Sequence, residues 1–247
     1  MSGANIDLVK QRFEAAGVLW PSPFDYLAQY TPEFVDAYLD FTQVIEHRAA
    51  LEPKVRQFVL IALSVAATLL DPDGARRHIR EAVRLGATRE ELIHVCQLAT
   101  LLGSHTMPMA VPILIDEAET AGITVTHAAE ELSAEVRARF EADRGSPPSD
   151  IAPVLALDPE YIDAYRRLSR IAVLGGVIEP KVVELIVIAL DASTTHLHAG
   201  GTRLHIRSAL AKGASVDEVL EVLEVTSSIG MLGTNLGVQL VAEAFGD

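Results

Sequence analysis

The chain has a single cysteine, Cys96, among 247 residues. That excludes an intramolecular disulfide, a CxxC pair and any multi-cysteine metal site, so an oxidising compartment offers the fold nothing and a cytoplasmic location is expected. Positive charge is also scarce. The 20 Lys and Arg stand against 34 Asp and Glu, a formal net charge of -14 at pH 7. No Lys/Arg cluster is large enough to offset the repulsion of a phosphate backbone, so nucleic acid is not an expected partner. The N-terminus, Met1-Ser2-Gly3-Ala4-Asn5-Ile6-Asp7, lacks the basic start and apolar run of a secretory signal. The longest strongly apolar stretch, Val182 to Leu190, is interrupted by Glu184 and is far shorter than the roughly 20 residues of a membrane helix. A soluble chain with no membrane partner is expected.

What the chain does have is material for a core, at 49% hydrophobic residues, and an internal duplication. Offset by 127 residues, Pro32–Gly103 aligns with Pro159–Gly230 without a gap, and 25 of the 72 positions are identical. Pro-Glu-x-x-Asp-Ala-Tyr begins at 32 and 159, Glu-Pro-Lys-Val at 52 and 179, Ile-Ala-Leu at 61 and 188, and His-Ile-Arg at 78 and 205.

Each copy reads as a series of helices, because apolar residues recur at spacings of three and four between Gly, Pro and Asp breakers. One helix over Glu52–Thr68 starts at Pro53 and presents Val55, Phe58, Val59 and Ala62 on one face. A second follows Asp71 and stops at Gly86, and a third opens at Thr88-x-x-Glu91, a capping box, and runs to Leu102. The second copy repeats these signals with Glu179-Pro180, Gly213 and Ser215-x-x-Glu218. The reading is an all-α protein of two tandem helical repeats that dock pseudo-symmetrically. The polar, breaker-rich run Asp143–Ser149 is taken as the boundary, giving a first repeat with leading helices over 1–142, a linker over 143–152 and a second repeat over 153–247.

The Glu-Pro-Lys start, the Ile-Ala-Leu core, the His-Ile-Arg string and the Gly-Ala-[Thr/Ser]-x-x-Glu cap resemble the carboxymuconolactone decarboxylase and AhpD-like family over about 70 residues of each half. In the AhpD-like branch a Glu and a CxxC precede a His four residues after the second Cys. Here the two Cys positions hold His198 and Gly201 ahead of His205, and Asp71 and Gly74 ahead of His78. Peroxide reduction needs an attacking and a resolving thiol, so that branch's chemistry is left with Cys96 alone. The decarboxylase branch has no CxxC and keeps the His string, which His78-Ile79-Arg80 and His205-Ile206-Arg207 match. Relative to both branches, about two extra residues lie before each His, reshaping the loops 69–74 and 196–201.

The resemblance implies His205 as the principal catalytic residue, with His78 as its repeat mate, since an imidazole exchanges protons near neutral pH. Glu184 occupies the family's Glu position, where the first copy has Gln57; an antiparallel helix pair would bring it to His205. His196, His198 and His205 with Glu184 contain the donors of a metal shell, but their spacing matches no recognised motif, and they are read as polar pocket lining with no metal. Arg80 and Arg207 are candidates for a substrate carboxylate. Met107, Met109 and Met231 are read as core or interface filler. The expected activity is that of a cofactor-independent lyase or isomerase acting on a small carboxylated lactone. The alternatives are a hydroperoxidase dependent on Cys96 and a non-catalytic binding or assembly protein. Single-copy family members form hexamers, so a trimer of two-repeat chains is expected.

Overall fold

The computed structural model describes residues 3–16, 20–21, 23–144 and 151–246. Among them there is no strand. Fourteen α-helices follow in order: α1 Gly3–Ala15, α2 Pro23–Tyr30, α3 Pro32–Arg48, α4 Pro53–Val65, α5 Pro72–Arg84, α6 Arg89–Ala99 and α7 Thr106–Thr120, then α8 Glu130–Arg144, α9 Ala152–Leu157, α10 Pro159–Leu174, α11 Pro180–Ala192, α12 Ala199–Ala211, α13 Val216–Ser227 and α14 Met231–Phe245. A 3-10 turn, Thr100–His105, joins α6 to α7. The local signals act as their chemistry requires. Prolines open α4, α5 and α11, Gly86 and Gly213 take φ of 87° and 89° after α5 and α12, and both capping boxes form, at Thr88–Glu91 and Ser215–Glu218.

The duplication reaches further back than the sequence match. Helix α8 begins 127 residues after α1. The buried residues Val9, Phe13, Ala28 and Val35 of the leading core have Val136, Phe140, Leu155 and Ile162 as counterparts in a second cluster. The repeat boundary therefore falls between α7 and α8, within 121–129, and not in the polar run of the 143–152 linker. That run lies instead at the junction of α8 and α9, with residues 145–150 outside the described residues. Breakers inside the second repeat thus give the composition of a boundary without marking one, which is why composition alone misplaces the division.

The two repeats share one core. Helices α4 and α11 pack against each other at its centre, and α6 and α13 cross over to pack on the opposite repeat's α11 and α4. Val182, Val183 and every residue from Leu185 to Leu190 are buried there. The terminal helices are exchanged as well, with α7 of the first repeat against α9 of the second and α14 of the second against α2 of the first. The run Arg89–Thr120 is continuous and holds an 18-residue window of mean hydropathy 1.5, 28% buried. By length and composition it is large enough to cross a membrane, and it is a longer apolar run than Val182 to Leu190. Here Val95, Leu98, Leu101 and Leu102 within it belong to the shared core.

Polar groups fix the register between repeats. Glu221 on α13 is fully buried and accepts from Arg56 (3.0 and 2.6 Å), from Ala50 N (2.6 Å) and from Leu51 N (2.9 Å). Arg56 also pairs with Glu46. At the pseudo-equivalent place the first repeat supplies His94, which accepts Ile178 N at Nδ1 (3.3 Å) and bonds the Ala172 carbonyl through Nε2 at 2.6 Å. A Cβ on Gly176 would sit 2.0 Å from that ring, so the loop before α11 needs glycine at the contact.

Removing one member of a buried ion pair strands the other charge. Glu221→Ala should lower unfolding stability by about 3–5 kcal/mol, read from urea denaturation at pH 7. A loss below about 1 kcal/mol would mean that this carboxylate does not hold the repeats in register.

Candidate functional site

The helix pair α11–α12 builds the second-repeat site. Glu184 faces inward from the apolar stretch Val182 to Leu190 of α11 with a side chain only 7% exposed, and such a carboxylate requires hydrogen bonds. It has three. His205 Nδ1 lies 2.6 Å from Oε2, while Ser208 Oγ and Lys212 Nζ each donate to Oε1 at 2.9 Å. Burial alone would raise this carboxyl, but the bonds from His205, Lys212 and Ser208 outweigh it and hold the pKa at about 2. Glu184 is therefore an anion at neutral pH. A neutral imidazole held by that anion at Nδ1 carries its proton there, which leaves Nε2 as the nitrogen able to take one up.

His205 lines a cavity of about 380 Å³. One wall, with Tyr161, Tyr165, His198 and Gly201, belongs to the second repeat; the other, with Ser104, His105 and Pro108, is brought by the first repeat through the exchange of α7. The cavity lies within one chain, between its repeats. The first repeat has the counterpart: His78 lines a cavity of about 450 Å³ completed by Val225, Ile229 and Asn235 of the second. There His78 Nδ1 lies 2.9 Å from Gln57 Oε1, an uncharged partner. Burial, with Arg77 nearby, lowers the His78 pKa to about 4.

The loop between α11 and α12 carries the remaining histidines. Leu197 sits at φ 52°, as its counterpart Leu70 does at 50°, a costly conformation for a leucine. It turns the chain so that His198 N bonds Asp191 O at 2.8 Å, and His198 caps α12 by accepting Gly201 N at 3.1 Å. His196 and His198 are thereby gathered around Asp191, and His105 joins them from the 3-10 turn, with Nδ1 2.7 Å from His196 Nε2. The His105 and His198 rings stack at 3.9 Å. Asp191 is 1% exposed, and neither of its carboxylate oxygens has a hydrogen-bond partner among the described residues. Burial raises its pKa to about 6, and burial with the neighbouring histidines lowers that of His105 to about 3.

His205 with Glu184 thus forms one group, and His196 with His198 a second one that includes Asp191 and His105, two residues the sequence reading did not single out. Asp191 did leave a signal, as the charge at the end of an apolar run. His105 left none, because it lies outside the 72-residue alignment. Arg80 and Arg207 are exposed and line neither cavity; Arg207 sits in an open groove along α12 with Ala192, Arg203 and Ile206. Cys96 is on α6, away from both cavities, and packing around it raises its thiol pKa. Gly201 occupies the second CxxC position, and a Cβ there would lie 2.1 Å from Asp191 Oδ2. A cysteine could not enter without displacing that carboxylate.

The profile of the carboxymuconolactone decarboxylase family matches residues 32–107 and 159–234. The crystal structure of a protein from Burkholderia xenovorans LB400, assigned provisionally as a gamma-carboxymuconolactone decarboxylase subunit, is similar to the chain with a TM-score of 0.85 and 37% identity, over 98% of this chain and 97% of that one. No curated protein matches.

The His78 environment has a stability signature. Between its usual 6.5 and about 4 the unfolded chain holds a proton that the folded chain does not, so acid favours unfolding across that window and the effect levels off below it. His78→Gln should flatten the decline in unfolding free energy from pH 6.5 to 4 relative to wild type. Parallel profiles would show that His78 keeps its solution pKa.

Proposed function

The chain belongs to the carboxymuconolactone decarboxylase family, and from that premise we propose that it is a lyase or isomerase acting on a small carboxylated lactone or related aromatic-degradation intermediate. His205 is the general acid/base and Glu184 its positioning carboxylate. The observation that carries this reading is the 2.6 Å contact between His205 Nδ1 and Glu184 at the wall of the 380 Å³ cavity. With Nδ1 held, Nε2 is the atom that moves a proton. Having first taken up a proton from solvent, Nε2 would deliver it to the carbon that carbon dioxide leaves, once the electrons of the broken C–C bond have been taken up as an enolate, and the ring returns to its neutral form. The Glu184 carboxylate keeps the ring oriented through that transfer.

His78, opposite Gln57, lacks a charged partner at Nδ1. Arg207 and Arg80, being outside the cavities, would meet a substrate carboxylate only across a contact between copies. Within the chain, Ser104, His105, Tyr161, Tyr165 and His198 are the polar cavity residues available to it besides His205. No residue of the His205 cavity supports thiol chemistry.

The same surface on both repeats supports self-association. Met109, Ile113 and Leu114 on α7 are 61, 55 and 61% exposed; their counterparts Leu236, Leu240 and Val241 on α14 are 59, 54 and 48% exposed. A single apolar face repeated in both halves suits a ring in which each chain supplies two quasi-equivalent contacts, hence a trimer.

His205→Gln should reduce turnover of a carboxylated lactone by about 10²–10⁴-fold with helicity unchanged by circular dichroism. Glu184→Gln should lower kcat with little change in KM. Full activity in the first variant would refute the assignment. Light scattering should return about three times the 26.6 kDa chain mass, and Ile113→Asp should reduce it; a wild-type monomer at high concentration would remove the trimer.

A further inference from the structure

We infer that His105, Asp191, His196 and His198 form a binding site for a divalent transition-metal ion, zinc being the first candidate, beside the His205 cavity. One ligand atom from each residue lies within 4.8 Å of every other. His105 Nδ1 is 2.7 Å from His196 Nε2 and 3.7 Å from Asp191 Oδ1, and His198 Nδ1 is 4.0 Å from Asp191 Oδ2. Zinc bonds of 2.0–2.2 Å place tetrahedral ligand atoms about 3.3 Å apart, inside that spread, so side-chain adjustment without backbone rearrangement closes the shell.

Three further observations point to a cation. Asp191 is buried with both oxygens lacking hydrogen-bond donors among the described residues, and a carboxylate in that state calls for a positive partner. The fold does not need these side chains for packing. At the pseudo-equivalent positions the first cavity is lined by Ser64, Leu69, Asp71 and Leu232, and the same helices pack around them. Finally, Gly201 keeps the space over Asp191 and His198 clear of a Cβ.

The donor set selects among metals. Imidazole nitrogens with one carboxylate suit zinc, iron(II) or nickel, whereas magnesium and calcium prefer all-oxygen shells. His198 Nδ1 accepts the Gly201 N–H at present, and coordination would take over that lone pair. His105, His196 and Asp191 are therefore the indispensable three, with His198 as the fourth ligand. The cavity wall formed by His105 and His198 gives the ion a route in. This site does not depend on the proposed decarboxylation, and its test does not use turnover.

The full chain, treated with chelator and dialysed, is titrated with cobalt(II) and, separately, zinc. Wild type should bind one cobalt per chain with the intense visible bands of a four- or five-coordinate ion. Zinc at a hundredfold excess over Kd should raise Tm by roughly 5–10 °C. His105→Leu and His196→Leu introduce the residue type that lines the first cavity at the equivalent places, Leu232 and Leu69, and should lose both responses, as should Asp191→Asn. His47→Ala, on exposed α3 surface, should keep them. Absence of a saturable cobalt spectrum in wild type, or its persistence in both leucine variants, would overturn the site. Because Asp191→Asn alters charge with almost no change in volume, its spectrum decides the matter if a leucine variant fails to fold.

Discussion

The buried carboxylate of Glu221 is the contact on which the arrangement of this chain rests. It takes the N–H groups of Ala50 and Leu51 and the guanidinium of Arg56, so α13 of the second repeat is tied to the turn that launches α4 of the first. Hydrophobic packing between α4 and α11 is strong but tolerant of sliding, because one aliphatic contact resembles the next. A buried ion pair with directed hydrogen bonds is not tolerant, and it fixes the register. His94 does the same for the turn before α11 with an imidazole ring. Once both turns are fixed, α7 and α14 have only one way to lie, and each closes the opposite repeat's cavity.

Much of this was legible in the chain itself because it is encoded locally. The duplication, the prolines opening α4 and α11, the two capping boxes and the glycines after α5 and α12 depend on neighbours within a few residues. The approach of Glu184 to His205 was accessible too, since two successive antiparallel helices leave few alternatives. The histidine cluster was not. His105 reaches Asp191 only because a terminal helix crosses between repeats, an event with no signature in spacing, and its counterpart Leu232 gives the repeat comparison nothing to notice. The division between repeats was legible too, since Val9 and Arg12–Ala15 recur at the same offset as Val136 and Arg139–Ala142, but the polar, breaker-rich run at 143–149 has the composition of a boundary and draws the division to itself.

Duplication has let the two halves diverge chemically while the frame stays common. One half pairs its helix histidine with an anion, Glu184, and surrounds it with further imidazoles. The other pairs His78 with the neutral Gln57 and fills the corresponding space with Leu69 and Leu232. Burial acts on both cavities, yet with opposite consequences: three donors outweigh it at Glu184, whereas at His78 it prevails, with Arg77, over the opposing pull of Asp71.

The exchange of α7 and α14 also separates ancestry from influence. A residue on α7 is inherited with the first repeat but lines the second repeat's cavity, so a change there alters the chemistry of the half it does not belong to. Neither half can be replaced by a homologous module without importing a foreign wall into its neighbour. Selection therefore acts on the pair as an indivisible unit, even though every helix in it exists twice.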